Sequence, residues 1–416
     1  MNRRDFVKTT AAMSLAAAMP RIPGAYAQGS DAIRVGVIGS GGRGTGAAID
    51  CLNSAPGVEV LALCDLFQDR IDASLKKIGE AHPGKASMTP DRMFTGFDGY
   101  QKLLALPEVN YVILASPPGF RPIHLKAAVE AGKNIFMEKP VAVDPVGIRS
   151  VLASSSLAQQ KGLAVVAGTQ RRHQARYLEL MKRVHAGAIG ELVGGQCYWN
   201  MGELWVKKRE AGMSEMEWQC RNWLYFTWLS GDHIVEQHVH NIDVINWAFG
   251  ALPVKAMGMG GRQARTAPEY GNIFDHFAVE FEYPNGARVL SMCRQTQGAA
   301  ERIEERLVGT QGSALGFGEI RGPAPWKFEG AETNPYVQEH TDLIASIRAG
   351  RPLNEGQRVA ESTLCAIMGR MSAYTGRALS WDWVANSSAL DLSPREYKLG
   401  PNPVDPVAVP GFTQLI

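Results

Sequence analysis

The sequence predicts an α/β protein of two domains: an N-terminal domain around a parallel sheet, and a C-terminal α/β domain around an open, mostly antiparallel sheet. Three observations predict it. Short apolar runs alternate with helical patterns up to about residue 160, as repeated βαβ units require. From Leu192 the runs lengthen and alternate apolar with polar residues, as an antiparallel sheet with one face free requires. The first apolar run ends in Gly39, Gly41 and Gly44, spaced G-x-G-x-x-G, where a helical pattern opens.

The chain has 416 residues and begins with a segment that does not read as part of either domain. Arg3 and Arg4 open a twin-arginine start, an apolar run follows from Thr10 to Met19, and Ala25-Tyr26-Ala27 has the small-x-small pattern of a cleavage site. Residues 1–27 are therefore expected to be a twin-arginine signal peptide, and the mature protein to be periplasmic or otherwise extracytoplasmic. The run is too short for a permanent anchor, and no other stretch reaches the roughly 18 apolar residues that a span needs. No membrane partner is expected after signal removal. A hydrophobic content of 45%, a charged content of 20% and a net charge of +2 are ordinary for a globular protein and give no reason to expect a nucleic-acid partner. The six cysteines show neither C-x-x-C nor zinc-finger spacing. Cys51 and Cys64 fall on apolar faces and read as buried thiols, and folding in the reducing cytosol before export argues against disulfides.

Residues 32–160 form the expected first domain. Its elements are read at 34–39, 47–54, 58–65, 69–81, 100–104, 111–115, 121–131, 134–137 and 146–160, with a further short strand at 163–167. In this frame the glycines have separate tasks: Gly39 permits a tight turn, Gly41 lets backbone approach a pyrophosphate, and Gly44 lets helix pack on strand. Ser40, Gly42 and Arg43 complete the loop, and the helix N-terminus offers free N–H groups to phosphate. This is the fingerprint of a Rossmann dinucleotide-binding domain. Asp65 ends the second strand, where a carboxylate accepts from ribose hydroxyls and repels a 2′-phosphate. NAD is expected over NADP, although Arg43 and Arg70 stand near in sequence. An exported enzyme meets no free nicotinamide pool, so the cofactor is expected to be tightly held and restored within each cycle.

Residues 161–378 form the expected second domain, with strands at 193–199, 277–283, 288–294 and 304–309 and a hairpin turn at Pro284-Asn285-Gly286. Helices are read at 337–349 and 357–375, and residues 379–416, rich in Pro, Asp and Ser, as a surface extension.

Three further motifs come in order: Ala115-Ser116-Pro117-Pro118 running to His124, then Glu138-Lys139-Pro140, then Gly231-Asp232-His233-Ile234-Val235-Glu236-Gln237-His238-Val239-His240-Asn241-Ile242-Asp243. Together with the glycine loop they resemble the Gfo/Idh/MocA family (glucose–fructose oxidoreductase, inositol dehydrogenase, rhizopine catabolism), over nearly the whole mature chain. The resemblance implies NAD(P) bound with help from Ser116, Pro117, His124, Glu138 and Lys139. It also implies a second-domain sheet with one face over the nicotinamide and the other against a partner subunit in a homo-oligomer, and a sugar-type substrate. One position departs from the pattern: Glu236 stands where the family usually has Asp.

The chemistry of these residues fits that class. Lys139 follows a parallel strand's carboxyl end, where α/β sheets bind ligands, and its cation would favour a substrate alkoxide. The plain alternative is a surface lysine. Glu236 and His240, four apart, are expected on one face of a helix, with His240 as general base and Glu236 orienting it or holding a substrate hydroxyl. His233, Glu236, His238 and His240 also raise a metal-site alternative, but no metal is expected. Arg171 and Arg172, after the strand 163–167, are candidate substrate ligands or else a solvated basic turn. Among many aromatic residues, Tyr225 is the best-placed candidate for stacking on a sugar. Three functions follow: a sugar or sugar-derivative oxidoreductase with captive NAD, an NAD-dependent glycoside hydrolase acting by transient oxidation and elimination, and a non-catalytic sugar-binding protein.

Overall fold

The computed structural model describes residues 31–416 apart from residue 87. The twin-arginine segment lies outside the described residues. Six strands, β1 (Ile33–Ile38), β2 (Val58–Asp65), β3 (Met93–Thr95), β4 (Tyr111–Leu114), β5 (Asn134–Met137) and β6 (Val165–Ala167), form one sheet in the order β3-β2-β1-β4-β5-β6. Every pairing in it is parallel. Val35, Val37, Val112, Ile113, Ile135 and Phe136 are all fully buried, because helices cover both faces of such a sheet and leave no polar alternation. The sheet runs on to Ala167, past the boundary at residue 160. It is completed from far along the chain: helix Pro335–Arg348 lays Leu343, Ile344 and Ile347 into the same cluster as Ile33, Val35, Ala47 and Tyr111.

The second sheet has nine strands: β7 (Leu192–Met201), β8 (Lys255–Gly261), β9 (His276–Glu282), β10 (Arg288–Gln295), β11 (Arg302–Gly309), β12 (Ser313–Leu315), β13 (Glu319–Arg321), β14 (Trp326–Lys327) and β15 (Leu379–Ser380). The order is β14-β13-β12-β11-β7-β10-β9-β8-β15. Only β7 and β10 pair in parallel, so the sheet is mostly antiparallel with one parallel seam at its centre. The β9–β10 hairpin turns at Gly286, whose φ of 82° suits glycine. Cys197, Val279, Phe281, Val289, Cys293 and Leu307 are buried on the inner face, towards helices Val239–Phe249 and Gly356–Thr375. The outer face leaves Met257 at 63% and Met259 at 74% exposure, with Leu290 also exposed. All six cysteines are buried and free. Beyond β15 a short helix, Trp381–Asn386, leads into an extended tail that crosses the body near Thr227, Trp228 and Tyr374.

Candidate active site

The glycine loop joins β1 to helix Gly42–Ser54. Gly39 has φ of 96°, and a Cβ there would stand 2.2 Å from the Ser116 nitrogen. A Cβ on Gly44 would stand 1.8 Å from the Gly39 carbonyl oxygen. Both positions therefore need glycine for packing. Gly41 and Gly42 instead face open space, with nothing within 4 Å of a Cβ. No side chain caps the helix at Gly41, which leaves its first N–H groups for an anion. The loop thus has the room and the donors that a pyrophosphate needs.

Asp65 lines a cavity of about 480 Å³ together with Gly39, Gly41, Gly42, Arg43, Ser116, Pro117 and His124. Its carboxylate accepts from the Ser40 nitrogen at 2.8 Å and the Phe67 nitrogen at 3.1 Å, and burial raises its pKa above the usual carboxylate value. Each oxygen keeps a lone pair for a ribose hydroxyl. Ser40 itself does not line the cavity: its hydroxyl turns inward onto the Cys64 carbonyl at 3.1 Å. Glu138 is also set back, accepting from Arg43 Nε at 2.5 Å. It anchors the loop arginine, which lies 4.9 Å from the Tyr336 ring centroid. His124 bonds Ser116 Oγ through Nδ1 at 2.9 Å. Burial, then Arg121, pushes its pKa down to about 3, so it presents a neutral ring.

Lys139 stands two residues past the end of β5 and is joined to Pro140 by a cis peptide. Its Nζ donates to the Glu236 backbone carbonyl at 2.5 Å and to Glu236 Oε1 at 2.9 Å. Glu236 therefore positions Lys139 and not the imidazole. The single helix expected across Glu236 and His240 is absent. A short helix ends at Glu236 and a second begins at Val239, so the i, i+4 relation does not hold there. His240 is 8% exposed and its ring stacks on Trp199, with centroids 5.7 Å apart. Burial first, then the Lys139, Arg171 and Arg43 cations, lower its pKa well below the usual histidine value. The imidazole is neutral near pH 7 and free to accept a proton.

Arg171 reaches this neighbourhood, 5.7 Å from the Trp199 ring centroid, with its guanidinium paired to the buried Glu305. Glu305 also accepts from Asn241 Nδ2 at 2.5 Å and Tyr177 Oη at 3.1 Å. Arg172 does not face a substrate space. It grips Asp243 through Nε at 2.8 Å and Nη2 at 2.9 Å and lies 4.4 Å over the Trp247 ring, because Asp243 is buried and needs a counter-charge. Tyr225 is also corrected: it is 1% exposed, donates to the Leu204 carbonyl at 3.1 Å and packs edge-on against Tyr270. The four potential metal ligands diverge. His233 Nδ1 bonds Asp232 at 2.9 Å and His238 Nε2 bonds Ser291 at 2.7 Å, and no group of three His, Cys, Asp or Glu suited to a metal occurs among the described residues. Of the aromatic residues in this region, Trp199 is the one whose ring stacks on His240. It shares a face of β7 with the buried Cys197, which the period-2 rule for strands would have revealed.

Comparison with known proteins gives the same frame. Residues 33–169 match a model described as an oxidoreductase family with an NAD-binding Rossmann fold, and residues 177–315 match the GFO/IDH/MocA C-terminal domain. A glycosyl hydrolase family 109 protein of Streptomyces niveus is 30% identical over 65% of this chain and 53% of its own length. Inositol 2-dehydrogenase 3 of Saccharopolyspora erythraea is 27% identical over 62% of this chain and 65% of its own. The chain thus spans less than two thirds of each of these two relatives. In fold it is similar to aldose-aldose oxidoreductase of Caulobacter crescentus, with TM-score 0.66 at 17% identity, covering 84% of this chain and 99% of that one. The two family models match in chain order and between them take in all of the first sheet and the centre of the second, so the chain belongs to the Gfo/Idh/MocA oxidoreductase family and its first domain is an NAD-binding Rossmann fold.

Proposed function

We propose that this protein is an oxidoreductase of a sugar or sugar derivative that keeps its NAD tightly bound. The observation that carries the reading is the pairing of a neutral, buried His240 with the fixed cation of Lys139 at the carboxyl edge of the parallel sheet. Bound NAD supplies the hydride acceptor. His240 takes the hydroxyl proton from the sugar, and Lys139 Nζ stabilises the negative charge that grows on that oxygen. Glu236 holds the ammonium in place by two contacts, so its orientation is set before substrate arrives.

The second reading is a glycoside hydrolase that oxidises C3, loses the acidified C2 proton, eliminates the aglycone, adds water and takes the hydride back. It is favoured by the relatives named as glycosyl hydrolase family 109 proteins and needs no net redox partner. Incubation with nitrophenyl glycosides in heavy water separates the two. The hydrolase releases aglycone and leaves deuterium at C2, whereas the oxidoreductase yields one equivalent of reduced cofactor, no aglycone and no exchange. If neither occurs with any sugar tried, the non-catalytic reading replaces both.

Two further parts of the proposal concern where the protein works and with what. The Arg3-Arg4 segment, the apolar run and Ala25-Tyr26-Ala27 support twin-arginine export, with cleavage before Gln28 to be read from the mature N-terminus. Met257, Met259 and Leu290 are exposed on the outer sheet face, with Glu280 between Met257 and Leu290 in the register, and this face supports a second copy of this chain packing there. Sedimentation of Met259→Glu against the unaltered protein tests it.

A further inference from the structure

The cavity that begins at the glycine loop has a wall that the Rossmann domain does not supply. Trp205 and Trp223 of the second domain and Tyr397 of the C-terminal extension line it beside Asp65, Phe97 and Phe120. Helix Glu215–Arg221 holds this wall in place. Arg221 crosses to the first domain, where both terminal nitrogens lie 3.2 Å from the Asp69 carboxylate and the guanidinium lies 3.8 Å over the Phe67 ring. The same helix secures the loop that carries Trp205, since Trp218 Nε1 donates to the Lys207 carbonyl at 2.8 Å. It also secures the extension. Met216 N donates to the Gly400 carbonyl at 3.0 Å, and Gln219 exchanges bonds of 2.6 and 2.8 Å with Asn402. Tyr397 thereby stands 5.6 Å from Phe120 and 6.2 Å from Phe97, centroid to centroid. The extension lies beyond the residues that either family model matches.

We infer that Tyr397, with Trp205 and Trp223, forms an aromatic clasp over the adenosine of bound NAD(H) and slows its release. The inference rests on the NAD reading of the first domain. The glycine loop places the pyrophosphate and Asp65 the ribose, so the aromatic end of the cavity is left for the adenine. A purine face gains by stacking on such rings. A dinucleotide seated there leaves only when the Tyr397 ring and the Trp205 loop move aside, and helix Glu215–Arg221 pins both. Cofactor release is then governed by opening of the clasp, as with other closing segments.

The test follows loss of prebound radiolabelled NAD⁺ from the full chain after dilution into excess unlabelled NAD⁺. Tyr397→Ala and Tyr397→Leu should each release it about tenfold faster or more, a factor worth about 1.4 kcal/mol, while Tyr397→Phe should stay within about twofold of the unaltered protein. Release from Tyr397→Ala at the unaltered rate overturns the inference. Hydrogen exchange of the unaltered protein, with and without NAD⁺, gives a reading that needs no variant. The clasp requires added NAD⁺ to protect residues around 397 as well as the loop 39–44. Protection of the loop alone overturns the clasp and leaves the cofactor site standing. Protection at neither place overturns the NAD reading itself.

Discussion

At the residue scale, the proposed site joins a lysine held by one ion pair and one backbone carbonyl of Glu236 to a buried, neutral histidine. Lys139→Ala and His240→Ala should each cut turnover by about 10² or more, the range for losing a positioned acid–base group, with bound NAD little changed. A folded His240→Ala protein with near-normal turnover removes the imidazole from the mechanism. Because burial and three cations hold the His240 pKa down, the acid limb of kcat/KM should lie well below the free-histidine value near 6.5. Glu236→Gln keeps the contact to Nζ but removes its charge, and Glu236→Ala leaves the ammonium held by the backbone carbonyl alone. The alanine variant should lose more of kcat than the glutamine one. Candidate residues were legible in the sequence as chemistry and less so as geometry. Lys139 and His240 are brought to one neighbourhood, but Tyr225 and Arg172 are spent on the core and on Asp243. A tyrosine or arginine beside a motif looks the same in sequence whether its polar end meets substrate or a buried partner.

At the element scale, the turn from β1 into helix Gly42–Ser54 leaves no room for a side chain at Gly39 or Gly44. Gly44→Ala puts a methyl carbon 1.8 Å from the Gly39 carbonyl oxygen, so helix and strand must separate. The expected outcome is loss of NAD binding together with a fall in melting temperature of several degrees. By contrast, Gly41→Ala meets no protein atom within 4 Å and should weaken NAD binding while leaving the apo melting temperature almost unchanged. Calorimetry of both apo proteins, with an NAD titration of each, distinguishes packing from ligand approach. Elements with strong period, such as β2, β5 and helix Gly356–Thr375, stand within a residue or so of where the sequence placed them. Those that were missed are mostly short: β3 and β12 to β15 have two or three residues each, too few for a period to register, whereas the seven-residue β8 is masked by its three glycines and by methionines on its outer face. The parallel seam of β7 on β10 could not be read either, since pairing between strands distant in sequence leaves no local mark. The break between Glu236 and Val239 hid for another reason. Asp232, a non-glycine residue at φ of 72°, starts the short helix, and its carboxylate ties His233, Phe274 and Tyr374 together. Tertiary bonds, not helical propensity, decide the path there.

At the scale of the whole molecule, a partly buried ionic chain joins the two domains. His173 Nδ1 lies 2.6 Å from Asp342, and its Nε2 lies 3.5 Å from Glu355. Glu355 meets Arg358 at 2.7 Å, and Arg358 meets Asp243 at 3.5 Å. Glu355 Oε2 also accepts from the Ala167 nitrogen of β6 at 3.1 Å. Burial disfavours the His173 cation, but the bonds to Asp342 and Glu355 outweigh it and carry the pKa up to about 9. Burial likewise opposes the Glu355 anion, yet Arg358 and His173 bring it down to about 2. A raised histidine stabilises fully below its unfolded value near 6.5, and the gain is lost as pH rises through 9. A lowered glutamate stabilises above about 4.5, and the gain is lost as pH falls towards 2. The contribution of this pair to the melting temperature, read as the difference between the unaltered protein and His173→Gln, should therefore be largest between about pH 4.5 and 6.5, while the buried His124, His238, His240 and His340, with lowered values, add an acid decline of their own below about pH 6.5. His173→Gln should flatten the alkaline decline, and an unchanged decline in that variant assigns it to other groups.

Helix Pro335–Arg348 has a consequence for the order in which this protein is made. Its Leu343, Ile344 and Ile347 close the core that β1, β2 and β4 open, and Arg348 caps the carbonyls of Asp31 and Pro56 beside β1. A ribosome finishes β6 long before it reaches this helix. Until then the N-terminal sheet has all its strands but an uncovered apolar flank, and it must wait, shielded or loosely packed, for about 170 more residues of the chain. The dinucleotide-binding half is thus the first to be synthesised and among the last to be sealed. The cavity at the glycine loop, which also takes Tyr397 from the C-terminal extension, is complete only in the finished polypeptide.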